Sequence, residues 1–192
     1  MQMKNKSVLL NALHTYYKEP FNIKRLLEVL EEDSKVSLRI IDWFVTNYSK
    51  KNNIYYSIYE TPKGKKTFNS KGNRVIRQFN TYHSYKSQLK SYSKKRFDPF
   101  CRRERIVFEY DKQKSVETTI GQLNFFKWAI DNLIIDYIKT NYDEIENDMN
   151  TSYNLLKKDK TDINERKKRQ ELSKSASRGL NVQKNKVVLE FN

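Results

Sequence analysis

Lysine and arginine are concentrated in two stretches of this sequence, and their chemistry is that of phosphate binding. The segment 62–78 contains no acidic residue, and the segment 86–105 contains eight basic residues against two acidic ones. Arginine holds a phosphate with two parallel hydrogen bonds and lysine reaches it as a flexible charge, so both together beside aromatic residues suit nucleic acid. The predicted phosphate contacts in these stretches are Lys63, Lys65, Lys66, Arg74, Arg77, Lys86, Lys90, Lys94, Lys95, Arg96, Arg102, Arg103 and Arg105.

A third basic cluster follows towards the end of the chain. It comprises Arg166, Lys167, Lys168 and Arg169, a run typical of nuclear-entry signals and nucleic-acid-binding tails. The whole sequence has 38 Lys and Arg against 23 Asp and Glu, and its net charge of +15 favours a polyanionic partner. The alternative is that these side chains are ordinary solvated surface, because abundant Lys, Asn, Ile and Tyr with scarce Ala and Gly is typical of an A+T-rich genome.

Few residues offer any other chemistry. Cys101 and His83 could form a thiol–imidazole pair, with Arg102 and Arg103 lowering the pKa of the thiol, but no third residue orients the pair and a structural cysteine is favoured. Two histidines, and an acidic patch at 143–148 without calcium-loop spacing, do not predict a metal site. The four glycines are isolated and form no phosphate loop. The sequence therefore predicts a non-enzymatic protein with no cofactor and no metal.

Length and composition indicate a small folded chain. Its 192 residues are 37% hydrophobic, which is low for a globular domain, but 13% are aromatic, which allows a modest core. The single cysteine excludes an intramolecular disulfide. The sequence shows neither a signal-peptide core nor an apolar run of about 18 residues, so we expect a soluble protein that is not secreted and has no membrane span.

Residues 1–78 have the pattern of a winged helix-turn-helix segment. Apolar spacing and turn residues predict helices over 5–17, 21–31 and 36–47 and strands over 54–59 and 67–76. Three helices followed by a basic hairpin are the element order of that fold.

Residues 79–149 are predicted to form a helical core with one strand. A helix over 79–96 is expected to pack through Tyr82, Tyr85 and Leu89. On its other side, an exposed stripe is predicted for Lys86, Lys90 and Lys94. A strand over 105–110 follows.

The best-supported core helix begins at a capping box formed by Thr119 and Gln122. Its predicted buried face consists of Ile120, Leu123, Phe126 and Ile130. We expect this face to pack against the strand 105–110 and the helix 79–96, and we expect Trp43 and Trp128 to lie in the core.

Residues 150–192 are predicted to be a basic tail, either mobile or a lone exposed helix, that ends in a short strand. Within it, KVVLEF at 186–191 has the pattern of RIVFEY at 105–110 and is a candidate second strand of one small sheet. The predicted fold class is α+β and mainly α-helical: a winged helix-turn-helix-like set of three helices and a hairpin, then helices with a small sheet.

Three segments carry a resemblance to known proteins. They are FDPFCRRERI at 97–106, ETTIGQLNFFKWAI at 117–130 and the tail RKKRQELSKSA at 166–176. Together they resemble a family of small basic uncharacterised proteins from nucleocytoplasmic large DNA viruses, the giant viruses. The resemblance implies a protein made in the infected host cell, in the cytoplasmic virus factory or the nucleus, with packaging into the virion left open. It supplies no catalytic residue.

Two functions remain open. The one we favour is non-enzymatic binding of nucleic acid through the basic patches, DNA rather than RNA, in transcription, packaging or genome condensation. The other is a structural or protein-interaction role in the virion, with other virion proteins as partners. Base preference and oligomeric state are left open.

Overall fold

Helices begin the chain in the predicted order. The computed structural model describes residues 2–31, 34–111 and 113–158 and has α1 at Gln2–Tyr17, α2 at Pro20–Leu30 and α3 at Leu38–Trp43. Pro20 starts α2 because the first helical residue needs no amide hydrogen. The Ser37 hydroxyl accepts from the Ile40 amide and caps α3. The third helix runs further than predicted, through a π-helical turn at Phe44–Tyr48 into α4 at Ser49–Lys51.

A three-stranded antiparallel sheet follows, with the strand order β2-β1-β3. β1 is Tyr55–Glu60, β2 is Lys66–Thr67 and β3 is Arg74–Asn80. The predicted strand at 67–76 is misplaced, because its middle forms a turn. There the Asn69 side chain accepts from the Lys71 amide, and Gly72 has a φ of +69°, a left-handed conformation that favours glycine.

Within the described residues, the second half contains four helices and two adjacent strands. They are α5 at Thr81–Arg96, β4 at Ile106–Asp111, β5 at Lys114–Thr118, α6 at Ile120–Asp131, α7 at Ile134–Thr140 and α8 at Tyr142–Lys158. β4 pairs with β5, a strand that the sequence does not predict. The candidate strand at 186–191 lies outside the described residues. The observed class is α+β and mainly helical, with helices and then a hairpin at the N-terminus, which confirms the predicted fold class.

α6 lies at the centre of the fold. Its first turn is capped as predicted, with the Thr119 hydroxyl accepting from the Gln122 amide at 3.1 Å. Every residue of the predicted face is buried, namely Ile120, Leu123, Phe126 and Ile130. Phe125 and Trp128, which lie off that face, are buried too, because α1, α2 and α5 all pack on this helix. The core therefore surrounds α6 on more sides than a single apolar face predicts.

The sequence predicts two neighbours for the buried face of α6, namely α5 and the strand that is now β4. α5 packs on α6 as expected, with the Tyr85 and Trp128 rings 6.2 Å apart. β4 is held by α1, because its buried Phe108 stacks on His14 at 4.6 Å and meets Tyr17 edge-on at 5.8 Å. In the described ranges, none of the helices combines the length and the apolar character needed to cross a bilayer.

One hydrophobic core joins the segments on either side of residue 78. Tyr56 of β1 stacks on Tyr137 of α7 with 5.1 Å between ring centroids. α8 continues beyond residue 149 and packs on α3, where Trp43 Nε1 donates to the Asp148 carboxylate at 2.9 Å. The acidic patch of α8 is thus partly a docking face for α3 rather than a wholly solvated one.

Candidate nucleic-acid interface

The exposed side of α5 carries the first group of candidate cations. Asn80 caps the helix by accepting from the His83 amide at 3.0 Å. Tyr85 faces the core, and Lys86 and Lys90 point to solvent, as predicted. Lys94 does not continue their stripe, because Ser93 has φ 56° and ψ 167° and interrupts the helix before it. The predicted three-lysine stripe is therefore a two-lysine stripe.

Lys50 adds a cation beside this stripe that the sequence analysis does not include. It is exposed at the end of the third helix, and its Nζ lies 5.8 Å from the centroid of the Tyr82 ring. A cation at this distance is attracted by the face of an aromatic ring. Lys50 stands outside both basic runs, so charge clustering along the sequence does not indicate it.

The two turns of the β-hairpin carry the second group. Lys63 and Lys65 flank Gly64, whose φ of +73° closes the turn, and the Thr61 amide donates to the Lys65 carbonyl at 2.8 Å. Lys71 lies in the other turn. All three lysines are exposed. The turns hold their backbone in place while the ammonium groups extend into solvent.

Several predicted phosphate contacts are already paired with carboxylates. Arg74 donates to Glu60 at 2.6 Å, and Arg105 forms an ion pair with Glu117.

Arg102 forms the most specific of these pairs. Its Nε and Nη2 donate to the two oxygens of Asp98 at 2.9 and 2.8 Å, and Asp98 is only 5% exposed. Asp98 in turn is fixed by α6, because its amide donates to the Gly121 carbonyl at 3.2 Å. The Gln122 side chain also donates to the Pro99 carbonyl at 2.9 Å, so this amide holds the 97–102 segment rather than closing the capping box. Arg102 is thus a structural residue of this segment.

A further cluster forms at the C-terminal end of α6. Lys66 and Lys127 both bind the Asp131 carboxylate, at 3.2 and 2.7 Å. Next to them Arg77 Nη2 donates to the Asn132 side-chain oxygen at 2.6 Å. Lys66 and Arg77, which are eleven positions apart in the hairpin, are brought together with Lys127, which the sequence analysis does not single out.

The structure therefore divides the predicted contacts into groups. Those that make no ion pair with the described residues are Lys63, Lys65, Arg77, Lys86, Lys90, Lys95 and Arg103, of which Arg77 donates to the neutral Asn132 side chain. Lys94 and Arg96 already have partners. Arg166, Lys167, Lys168 and Arg169 lie outside the described residues.

Cys101 lacks the features of an activated thiol. Burial raises the pKa of this half-buried group, and the opposing charge of Arg105 does not outweigh it. The idea that neighbouring arginines lower the pKa of this thiol is therefore wrong. Across the ranges that the structure describes, His, Cys, Asp and Glu side chains form no group that could hold a metal ion.

Comparison with known proteins places the chain in a family. The model of a family of unknown function, DUF7197, matches residues 1–160. The chain belongs to this family. It is 40% identical over 163 residues to Uncharacterized protein L507 of Acanthamoeba polyphaga mimivirus, and the match covers 82% of this chain and 55% of that relative. The chain thus spans little more than half the length of the relative. No solved structure matches it.

These matches confirm the resemblance to uncharacterised giant-virus proteins and extend it. The sequence resemblance rests on the C-terminal half, whereas the family match includes the N-terminal helices and the hairpin. The family match ends at residue 160, before the tail segment 166–176. Neither the family description nor the name of the relative states an activity, so function is argued from the site alone.

Proposed function

We propose that this protein binds nucleic acid without catalysing a reaction, through phosphate contacts from α5 and the turns of the hairpin. The observation that carries the proposal is that, within the described part of the chain, some basic side chains are paired with carboxylates whereas others are exposed and unpaired. Carboxylates pair with one group at the surface, such as Arg74 and Arg105, while Lys63, Lys65, Lys86 and Lys90 are exposed without an ion-pair partner among the described residues. Exposed unpaired lysines release counterions when they meet phosphate, which favours binding.

The proposed contacts are to the nucleic-acid backbone rather than to base edges. In a winged helix-turn-helix the third helix enters the major groove. Here Ile40, Ile41 and Phe44 of the third helix are buried, and α8 packs against it. The proposal therefore includes no base-reading helix, and it predicts affinity that depends little on sequence. Such binding would serve genome packaging, condensation or transcription in the infected cell.

The test is a salt titration of a charge-reversal variant. Lys86→Glu with Lys90→Glu changes the exposed side of α5. Lys18→Glu, between α1 and α2, with Lys24→Glu on α2 is the control with the same change of net charge. Both pairs are exposed. Binding to duplex DNA, single-stranded DNA and RNA is measured at several salt concentrations, with thermal unfolding of each variant.

We expect the α5 variant to lose about tenfold or more in affinity and to lower the slope of log K against log salt by about 2. The control should lose much less, and both should unfold near the temperature of the parent. Equal losses in the two variants would mean that net charge alone drives binding, and no loss in the α5 variant would contradict the interface. The comparison of the three nucleic acids decides between DNA and RNA.

A protein-interaction role is the second candidate, and an apolar surface favours it. Tyr55 and Val75 are 68% and 55% exposed on the hairpin sheet, and exposed apolar surface is typical of protein-interaction sites. Tyr55→Ser with Val75→Ser should then reduce recovery of virion proteins bound to the chain in infected cells while leaving nucleic-acid affinity unchanged. Unchanged recovery would remove this candidate.

A further inference from the structure

A cleft lies between α1, the hairpin sheet, α5 and α6, apart from the exposed lysines of the proposed interface. Its volume is about 570 Å³, which is within the usual range for small-molecule sites. Ser84 and Trp128, joined by a hydrogen bond of 3.0 Å, form part of its wall. The apolar side is completed by Leu13 of α1 and Phe79 of β3. Four elements thus converge on one concave surface.

One end of the cleft is strongly cationic. Lys66, Arg77 and Lys127 line it together with a single carboxylate, Asp131, so positive charge exceeds negative charge there. Lys127 donates to Asp131 once and Lys66 donates twice, to the Asp131 carboxylate and its carbonyl. Arg77 uses one donor, on Asn132. Since an ammonium has three donors and a guanidinium five, each side chain keeps donors for a further acceptor.

The other end of the cleft is neutral and polar. Gln88 and Tyr92 of α5 line it, with Asn124 of α6 opposite. Asn124 donates to the Arg96 carbonyl at 2.8 Å, which fixes the amide beside the end of α5. Asn124 and Asp131 are seven residues apart in one helix, so the two ends are separated by about 10 Å. Amide side chains are the groups that pair with the edges of bases.

We propose that this cleft binds one nucleotide unit, with the phosphate at Arg77, Lys66 and Lys127 and the base towards Gln88 and Asn124. The separation of the two ends matches the span from the phosphate to the base of a nucleotide. The cation cluster supplies charge-assisted hydrogen bonds to the phosphate. A free nucleoside monophosphate and the phosphorylated end of a single strand are two sources of the same chemistry. The site does not depend on Lys86 or Lys90.

The experiment is a calorimetric titration of the full chain with four probes: thymidine monophosphate, thymidine, inorganic phosphate and a pentathymidylate with a 5′-phosphate. Arg77→Gln and Lys127→Gln test the phosphate end, and Gln88→Ala tests the base end. Lys24→Gln is the control that removes one charge outside the cleft, because Lys24 is an exposed residue of α2 and belongs to neither proposed site. Circular dichroism checks that each variant is folded.

We expect thymidine monophosphate to bind at one saturable site and thymidine to bind much more weakly. Arg77→Gln and Lys127→Gln should each weaken nucleotide binding about tenfold, while Lys24→Gln leaves it unchanged. Gln88→Ala should weaken the nucleotide but not inorganic phosphate. If the pentathymidylate binds tightly with the same dependence on Arg77, the occupant is the end of a strand, and if only the monophosphate does, it is the free nucleotide.

Two results would overturn the proposal: no saturable binding of either phosphorylated nucleotide probe, or an equal loss of affinity in Lys24→Gln and Arg77→Gln. Neither bears on the exposed lysines, because duplex binding is measured separately with the Lys86 and Lys90 variant. If the parent does not bind duplex, or if the Lys86 and Lys90 variant keeps its duplex affinity, only the proposed function is contradicted and the nucleotide site is unaffected. The two proposals therefore fail independently.

Discussion

Asp131 connects side chains from elements that are far apart in sequence. Its carboxylate accepts from Tyr16 of α1 at 3.3 Å, from Lys66 of β2 at 3.2 Å and from Lys127 of α6 at 2.7 Å. Burial opposes ionisation of this carboxyl, but the two lysines outweigh that effect and lower its pKa below the ordinary 3.8. Asp131 is therefore ionised at neutral pH, and its charge favours the folded state there.

Asp131→Asn is expected to lower the free energy of unfolding by about 1–2 kcal/mol at neutral pH, because charge-assisted hydrogen bonds at a partly exposed site are worth about that much. The folded-state pKa is the lower one, so this contribution is complete above the ordinary pKa of 3.8 and is lost as the pH falls through the folded-state value. Urea unfolding of parent and variant at neutral pH and at about pH 3 measures both differences. A difference that grows towards acid would contradict the lowered pKa.

At the scale of single residues, the sequence predicts which side chains are charged but not which are paired. Lys65 and Lys66 are neighbours in one basic run, yet Lys65 extends from a turn and Lys66 binds Asp131, 65 positions away. Such pairing is set by the tertiary fold, which local charge patterns do not contain. Lys127 and Lys50 are missed for the same reason, since their neighbours come from other elements.

At the scale of elements, α6 determines where the basic segment 97–105 is held. Gly121 comes so close to the preceding chain that a Cβ there would lie 3.2 Å from the Lys95 carbonyl oxygen. The Gln122 side chain accepts from the Thr118 hydroxyl at 2.7 Å and donates to Pro99, and both Gln122 and Thr118 are fully buried. The position of Arg102 and Arg103 therefore depends on the packing of this helix.

Phe126→Ala should lower the free energy of unfolding by about 3–5 kcal/mol, because it empties a fully buried aromatic site at the centre of the core. Leu155→Ala on α8 is the control, since this leucine is 59% exposed and its truncation should change stability by no more than about 0.5 kcal/mol. Chemical denaturation measures both variants. Normal stability of Phe126→Ala together with lost nucleic-acid binding would make Phe126 a partner contact and favour the interaction role.

Long periodic segments are predicted well from this sequence, and short ones are not. Helices such as α2 and α6 follow from apolar spacing because many residues report the same period. β5 has only five residues, and Val116 is its one buried apolar side chain. Its sequence therefore shows no strand pattern, and the segment is recognised as a strand only by its pairing with β4. The π-helical turn at Phe44–Tyr48 likewise has no local signal, and it packs against α5 and α8, which come later in the chain.

At the scale of the whole molecule, the core crosses the boundary at residue 78 in several places. The Tyr17 hydroxyl donates to the Leu123 carbonyl at 2.8 Å, and Tyr56 stacks on Tyr137. Either side alone would leave these faces without their partners. We therefore expect the described part of the chain to unfold as one cooperative unit.

The two tryptophans of the chain test this expectation, because Trp43 and Trp128 lie on opposite sides of residue 78 and both are buried. Trp43→Phe and Trp128→Phe each leave one fluorescent reporter. Within each variant, the denaturant midpoint measured by fluorescence should coincide with the midpoint measured by far-ultraviolet circular dichroism. Comparing two probes in the same variant removes the effect of the substitution on stability. Separate midpoints, with one reporter changing while helical signal from the other side persists, would mean that 1–78 and 79–149 unfold as two domains.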